Sequence, residues 1–187
     1  MRPIVWRVVL TEGILVGLAW GVGYLLGMDP WLDVKISWSA VVWGVLAALP
    51  LLGGMVWSMH TCWRGFAQLR YFVQEHVVPL FADCSLWEMA LIASLAGVGE
   101  ELFFRGLLQT GLIRVNSLWL GLIITSLIFG LLHYISLLYA FLAALIGLYL
   151  GLLFIAFDNL TVPMVVHALY DFIALVYLVR LRAGVEG

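Results

Sequence analysis

Long apolar stretches, broken at wide intervals by short polar segments, dominate this chain, and that pattern predicts helices that cross a membrane. A span needs about 20 apolar residues. About six stretches qualify: residues 8–27, 38–59, 86–108, 118–138, 139–157 and 162–179. Between the second and third lies a more polar region, residues 60–85. There Phe66, Leu69, Phe72 and Val73 recur at helical spacing, with Arg64, Gln68 and Arg70 off that face. This periodicity predicts a helix lying on the lipid headgroups, or else a short amphipathic connector. The expected fold is an all-α membrane protein, a bundle of about six transmembrane helices plus one interfacial amphipathic helix. It forms a single domain over 1–187, with two N-terminal spans (1–59), the connector (60–85) and a core region (about 86–180).

Composition sharpens the picture. The 187 residues are 65% hydrophobic and 11% charged, with mean hydropathy +1.11. Soluble domains run near 45–50% apolar and about 25% charged, so this is an integral membrane protein. The net charge of −2 gives no basic face for nucleic acid. Cys62 and Cys84 lack a C-x-x-C spacing and read as ordinary cysteines. The N-terminus resembles a signal peptide only loosely, because Glu12 interrupts the run and no small-x-small site follows cleanly. We expect a retained first span.

With six spans both termini share one side, and that side collects Arg2, Arg7, Arg64, Arg70, Arg180 and Arg182. The opposite side has Lys35 and Arg114, with Asp29, Asp33 and Asp158. The positive-inside rule then puts both termini in the cytoplasm, where a disulfide is not expected. Gly13, Gly17 and Gly21 form a small-xxx-small ladder, and Gly147 and Gly151 a shorter one. Such ladders let helices approach closely, and we expect packing within the chain.

Against this background a few polar residues stand out. Glu100, Glu101 and Arg105 lie within six residues of each other in the third stretch. An ionised group near the bilayer centre costs roughly 2.5–3.5 kcal/mol on insertion scales. Glu101 and Arg105 are four apart, hence on one helix face, and predict a buried ion pair. Glu100 is rotated about 100° from Glu101 and has no obvious partner on its own helix. It is either a neutral packed carboxyl or the candidate base. His133 follows Phe129 by one helical turn. His167 and Asp171, also four apart, could bind one ion or orient one water.

Glu100-Glu101-x-x-x-Arg105, Phe129-x-x-x-His133 and His167-x-x-x-Asp171, taken in order, resemble the three-motif signature of the CAAX protease and bacteriocin-processing family. The resemblance covers about Leu86 to Tyr177 and includes Gly106 after the first motif. It implies an intramembrane endopeptidase of a bacterial inner membrane, cutting a membrane-associated peptide or protein, such as a prenylated protein or a bacteriocin precursor. On that resemblance Glu100 activates a water, His133 helps hold it, and Glu101, Arg105 and Phe129 brace the site. His167 and Asp171 stabilise the oxyanion or hold a metal.

The family has been described both as zinc peptidases and as metal-free glutamate peptidases, so the expected cofactor is none or zinc. In the zinc version His133, His167 and Asp171 would ligate together with Glu100. Many members have asparagine where this chain has Asp171. Asparagine donates to an oxyanion, whereas ionised aspartate cannot. Aspartate can ligate zinc, fix a histidine tautomer, or donate when protonated.

One tension follows from the spans. If the fifth crosses fully, His133 and His167 lie roughly 15 Å apart in depth. For the two to share a site, either the fourth helix is long or the fifth is short and steeply tilted; we expect the former, with helix continuing past Tyr134 toward Leu138 and the imidazoles within about 10 Å. Competing functions are a non-catalytic scaffold or immunity protein of the same fold, and an ion or proton pathway.

Overall fold

Serines set where the helices begin, and apolar side chains cover what the helices present to lipid. The computed structural model describes residues 2–181, with side chains described for residues 2–179. α1 (Pro3–Leu25) starts at a proline and ends where Gly27 turns left-handed at φ 63. Met28 N–H then donates back to Gly23 O at 2.8 Å, closing the helix end. Ser37 caps α2 (Trp38–His60) by accepting from Ala40 N–H. α3 (Arg64–Phe72) passes through a wider π turn at Val73–Val77 into α4 (Val78–Phe81). Ser85 and Glu88 form a capping box for α5 (Leu86–Glu101). α5 continues through a π segment, Leu102–Gln109, into α6 (Thr110–Val115). Ser117 caps α7 (Leu118–Leu132) and Ser136 caps α8 (Leu137–Phe157). α9 (Thr161–Val176) ends in a π turn, Tyr177–Leu181.

The all-α membrane fold is as expected, but the count of spans is smaller. By length and composition α1, α2, α8 and Thr161–Val179 are long and apolar enough to cross a membrane. The bent pair Arg64–Phe81 and Leu86–Val115 makes up to five. Two corrections follow. The third stretch is part of a longer rod reaching Val115. The fourth is only the 15 residues of α7, about 22 Å against a core of about 30 Å. The amphipathic region does turn across the rod, at 109°, which is the attitude of a helix lying on a surface.

α1 pairs with α5, α5 and α2 with α9, and α7 with α8. The described ends lie together, since Val5, Val78, Cys84 and Val179 share one buried cluster. At the other end Lys35 Nζ donates to Asp158 Oδ2 at 2.8 Å. Exposed indoles mark both ends: Trp57, Trp63 and Trp87 at the first, Trp31, Trp38 and Trp119 at the second. Aromatic rings at two such levels are what a membrane's interfaces select. Arg182 and the side chain of Arg180, used in the charge count above, lie outside the described residues.

Close helix approach depends on glycine at several places, most plainly where a neighbouring backbone would be met. A Cβ on Gly97 would lie 2.8 Å from Met164 O of α9, and one on Gly130 would lie 2.5 Å from Ala140 O of α8. Gly147 and Gly151 also pack within the chain, against Phe129 and against Leu122 and Gln109. Gly13, Gly17 and Gly21 do not. A Cβ on any of them would meet nothing within 4 Å, which corrects the expectation of internal packing for that ladder. These two classes of glycine make opposite predictions. Gly130→Ala should lower the unfolding free energy in detergent by about 1–3 kcal/mol through overpacking. Gly17→Ala should leave it unchanged or slightly raised, as helix propensity favours alanine. Thermal or denaturant unfolding of the two variants side by side checks both.

Candidate active site

The rod carries its polar side chains on one face: Glu101, Arg105 and Gln109 succeed one another four residues apart, all fully buried. Arg105 Nη1–H donates to Glu101 Oε1 at 2.8 Å. Its Nη2–H donates to the backbone oxygen of Gly147 on α8, also at 2.8 Å. Gln109 Nε2–H repeats the contact one turn on, donating to Gly151 O at 3.2 Å. The rod is thus laced to α8 by two side chains that reach successive glycine carbonyls. Arg105 lies within the π segment, where its backbone oxygen accepts from the N–H of Thr110, five residues on. The Oγ1–H of Thr110 adds a second bond to the same Arg105 O at 2.9 Å.

The same carboxylate oxygen receives a second donor from a different helix. His167 Nδ1–H donates to Glu101 Oε1 at 2.8 Å. Its other ring nitrogen, Nε2, stands 3.5 Å from Asp171 Oδ2. His167 is therefore flanked by carboxylates at both nitrogens. Spacing alone paired it only with Asp171, and its shorter contact is to Glu101.

Glu100 points elsewhere. Its Oε2 lies 3.6 Å from His133 Nε2, just beyond direct hydrogen-bond reach, a distance at which a bridging water is the natural link. That oxygen is buried and has no hydrogen-bond partner among the described residues. His133 Nδ1–H donates to Phe129 O at 2.8 Å, which leaves Nε2 free to accept.

The predicted extension of α7 toward Leu138 does not occur. α7 stops at Leu132 with His133 as its capping residue. Ser136 accepts from Tyr139 N–H and starts α8 afresh. The histidines meet because the His133 ring folds back over its own last turn. It stacks on Phe129 at 4.4 Å between centroids. His167 packs edge-on to the same ring at 6.1 Å, and the Arg105 guanidinium covers it at 4.8 Å. Phe129 is thus the hub on which both imidazoles and the cation rest.

His133, His167 and Asp171 face a cavity of about 350 Å³. Its walls are otherwise largely apolar, from Leu51 and Met55 of α2 to Leu142 and Ile146 of α8. Phe66, Leu69 and Arg70 of α3 also line it, at the end of the bundle that holds both described termini. Arg70 Nη1–H donates to Ser58 O at 2.6 Å and ties α3 to α2. Tyr139 and Tyr170 were not singled out from sequence, and Arg70 stood out only as a charge of the amphipathic segment. Gln109 was legible as the next polar step after Glu101 and Arg105. Glu12 was legible as a charge within an apolar run.

The donor types present, two imidazole nitrogens and two carboxylates, are those zinc uses. Their arrangement does not suit it. Among the described residues no three His, Cys, Asp or Glu side chains converge closely enough to hold an ion. They stand as two separate pairs, Glu100 with His133 and His167 with Asp171. The metalloprotease expectation therefore finds no support in this geometry, and no step is derived through a metal.

The buried ion pair makes a stability prediction. Arg105→Leu would strand Glu101 with a single donor in a site of zero exposure, and breaking such a pair costs about 3–5 kcal/mol. Arg105→Lys should recover little, because an ammonium cannot span Glu101 and Gly147 O as the guanidinium fork does. Unfolding midpoints in detergent for the two variants measure this.

A comparison with family models matches residues 82–173 to the type II CAAX prenyl endopeptidase Rce1-like family. This covers all three motifs and about half the chain. No curated protein matches, and no solved structure matches. The match falls on the rod, α7, α8 and most of α9, the elements that carry the paired carboxylates and imidazoles. The chain belongs to the CAAX protease and bacteriocin-processing family, whose activity is of the intramembrane CAAX endopeptidase type.

Proposed function

We propose that this protein hydrolyses a peptide bond in a membrane-associated substrate, with Glu100 as general base and without a metal. One observation carries the reading: Glu100 and His133, 33 positions apart, face each other at 3.6 Å, and His133 lines an apolar cavity. Glu100 Oε2 has no hydrogen-bond partner among the described residues.

A water between the pair donates one hydrogen to the Glu100 carboxylate and the other to His133 Nε2. Glu100 takes its proton as the water oxygen bonds to the scissile carbonyl carbon. Charge builds on the carbonyl oxygen, and the Nε2–H of His167 donates to it. Asp171 and Glu101 hold that ring in place from either side. The C–N bond then breaks, and the proton held by Glu100 passes to the leaving nitrogen. Arg105 contributes by fixing Glu101 and does not touch the substrate.

A cavity of about 350 Å³ accommodates a few residues or a short apolar chain. Its Leu, Met, Phe and Ile walls suit a substrate with an apolar flank, either a prenylated segment or a bacteriocin precursor. The end carrying Arg2, Arg64 and Arg70 faces the cytoplasm by the positive-inside rule, so the substrate enters from that side beneath α3.

Purified protein in detergent should cleave a fluorogenic peptide with an apolar flank. Glu100→Gln should lower kcat by about 10²–10⁴ with little change in KM, since it removes a base and not a contact surface. Cleavage by Glu100→Gln at the wild-type rate would remove Glu100 from this role, whereas no cleavage by the wild-type protein itself would favour a non-catalytic scaffold or immunity protein.

A further inference from the structure

Glu12 lies on α1, outside the residues that match the family. It is the one acidic residue in that apolar helix, yet it is only 8% exposed. Its Oε2 is buried without a hydrogen-bond partner among the described residues. The side chain is turned inward, onto the backbone of α5 at Gly99. A Cβ on Gly99 would stand 2.7 Å from Glu12 Oε2 and 3.2 Å from Glu12 Cβ. Only glycine at that position lets α1 lay a carboxyl beside the residue that precedes Glu100. Glu12 also interacts electrostatically with Glu100, His167, Asp171 and His133, with Glu100 the foremost of these. The proposed base and the three other groups assigned to the reaction are thus within its field.

Glu12 Oε2, Glu100 Oε2 and Glu101 Oε2 are all buried and unpartnered. Buried carboxyl oxygens are costly to leave without donors. The Arg105 guanidinium is turned to Glu101 and to Gly147 O. A water supplies what is missing, because it can donate one hydrogen to each of two carboxylates, and ordered internal waters sit where such groups cluster.

We propose that Glu12 is a positioning residue of this site, joined to Glu100 through one buried water that holds the Glu100 carboxylate toward His133. The proposal rests on the reading of Glu100 as the base. It adds α1 to the catalytic apparatus and gives Gly99 a reason to be glycine.

The test uses the full chain in detergent and two independent measurements. If the bridge exists, Glu12→Leu lowers the unfolding midpoint by roughly 2–4 °C, and the same change made in Glu100→Leu lowers it no further. A midpoint that rises with Glu12→Leu, or falls equally in both backgrounds, overturns the proposal. Glu12→Ala is read in the same way if the leucine variant is not recovered folded. These midpoints do not depend on peptidase activity, so they judge the bridge even if Glu100→Gln proves fully active. In the cleavage assay Glu12→Leu should lower kcat roughly 10- to 100-fold with KM within about threefold. Glu12→Gln, which still hydrogen-bonds, should recover most of the loss. A leucine variant with wild-type kcat, or a glutamine variant as slow as leucine, counts against the role.

Discussion

One carboxylate oxygen, Glu101 Oε1, receives donors from two elements in a place with no solvent. Arg105 reaches it from one turn along the rod and His167 from α9, each at 2.8 Å. An uncompensated charge there would be prohibitively costly, and a charge with only one partner still costly. The arrangement is tenable because two donors, one from the rod and one from α9, share the charge. The guanidinium that compensates Glu101 also holds α8 through Gly147 O, and it rests on Phe129 of α7. The rod, α7, α8 and α9 therefore cannot shift independently without exposing a buried charge. Glu100 gains its direction from this. With Glu101 locked toward α9, its neighbour, about 100° around the helix, is turned toward the end of α7.

Helix length does as much as charge. An α7 long enough to cross would carry His133 to the bundle surface. At 15 residues it stops short, and the ring folds back onto its last turn. α3 then closes over the α7–α8 turn. A Cβ on Gly65 of α3 would lie 3.2 Å from Leu138 Cδ2, so the surface helix rests directly on the turn next to the site. The amphipathic segment is thus also a wall of the cavity.

These features differ in how far the sequence discloses them. The Glu101–Arg105 pair is legible because four-residue spacing fixes both on one helix face whatever the helix packs against. His133 and His167 are legible as rare polar groups in apolar surroundings. Their meeting is not, because it depends on where α7 ends, and hydropathy does not register a four-residue break at His133–Ser136 in an apolar run. The same blindness produced six expected spans: residues 118–138 average as one stretch, although Ser136 begins a new helix within it. Glycine spacing misleads for a related reason. Gly13, Gly17 and Gly21 share the periodicity of Gly147 and Gly151, but only a neighbouring helix makes such a ladder a contact. Whether a neighbour exists is a property of the assembled bundle.

The two imidazoles have the same chemistry and opposite settings. Phe129 O takes the Nδ1–H of His133, which turns its Nε2 toward Glu100. That suits a group that accepts from a water and leaves the proton transfer to the carboxylate. His167 has a carboxylate facing each nitrogen, and in the proposed mechanism each nitrogen donates. Such a ring suits a site where negative charge appears on an oxygen. On the proposed mechanism a residue's partners, not its type, divide the work between base side and oxyanion side. That division would also make aspartate workable at position 171. It need not donate to the oxyanion itself if its task is to hold the ring that does.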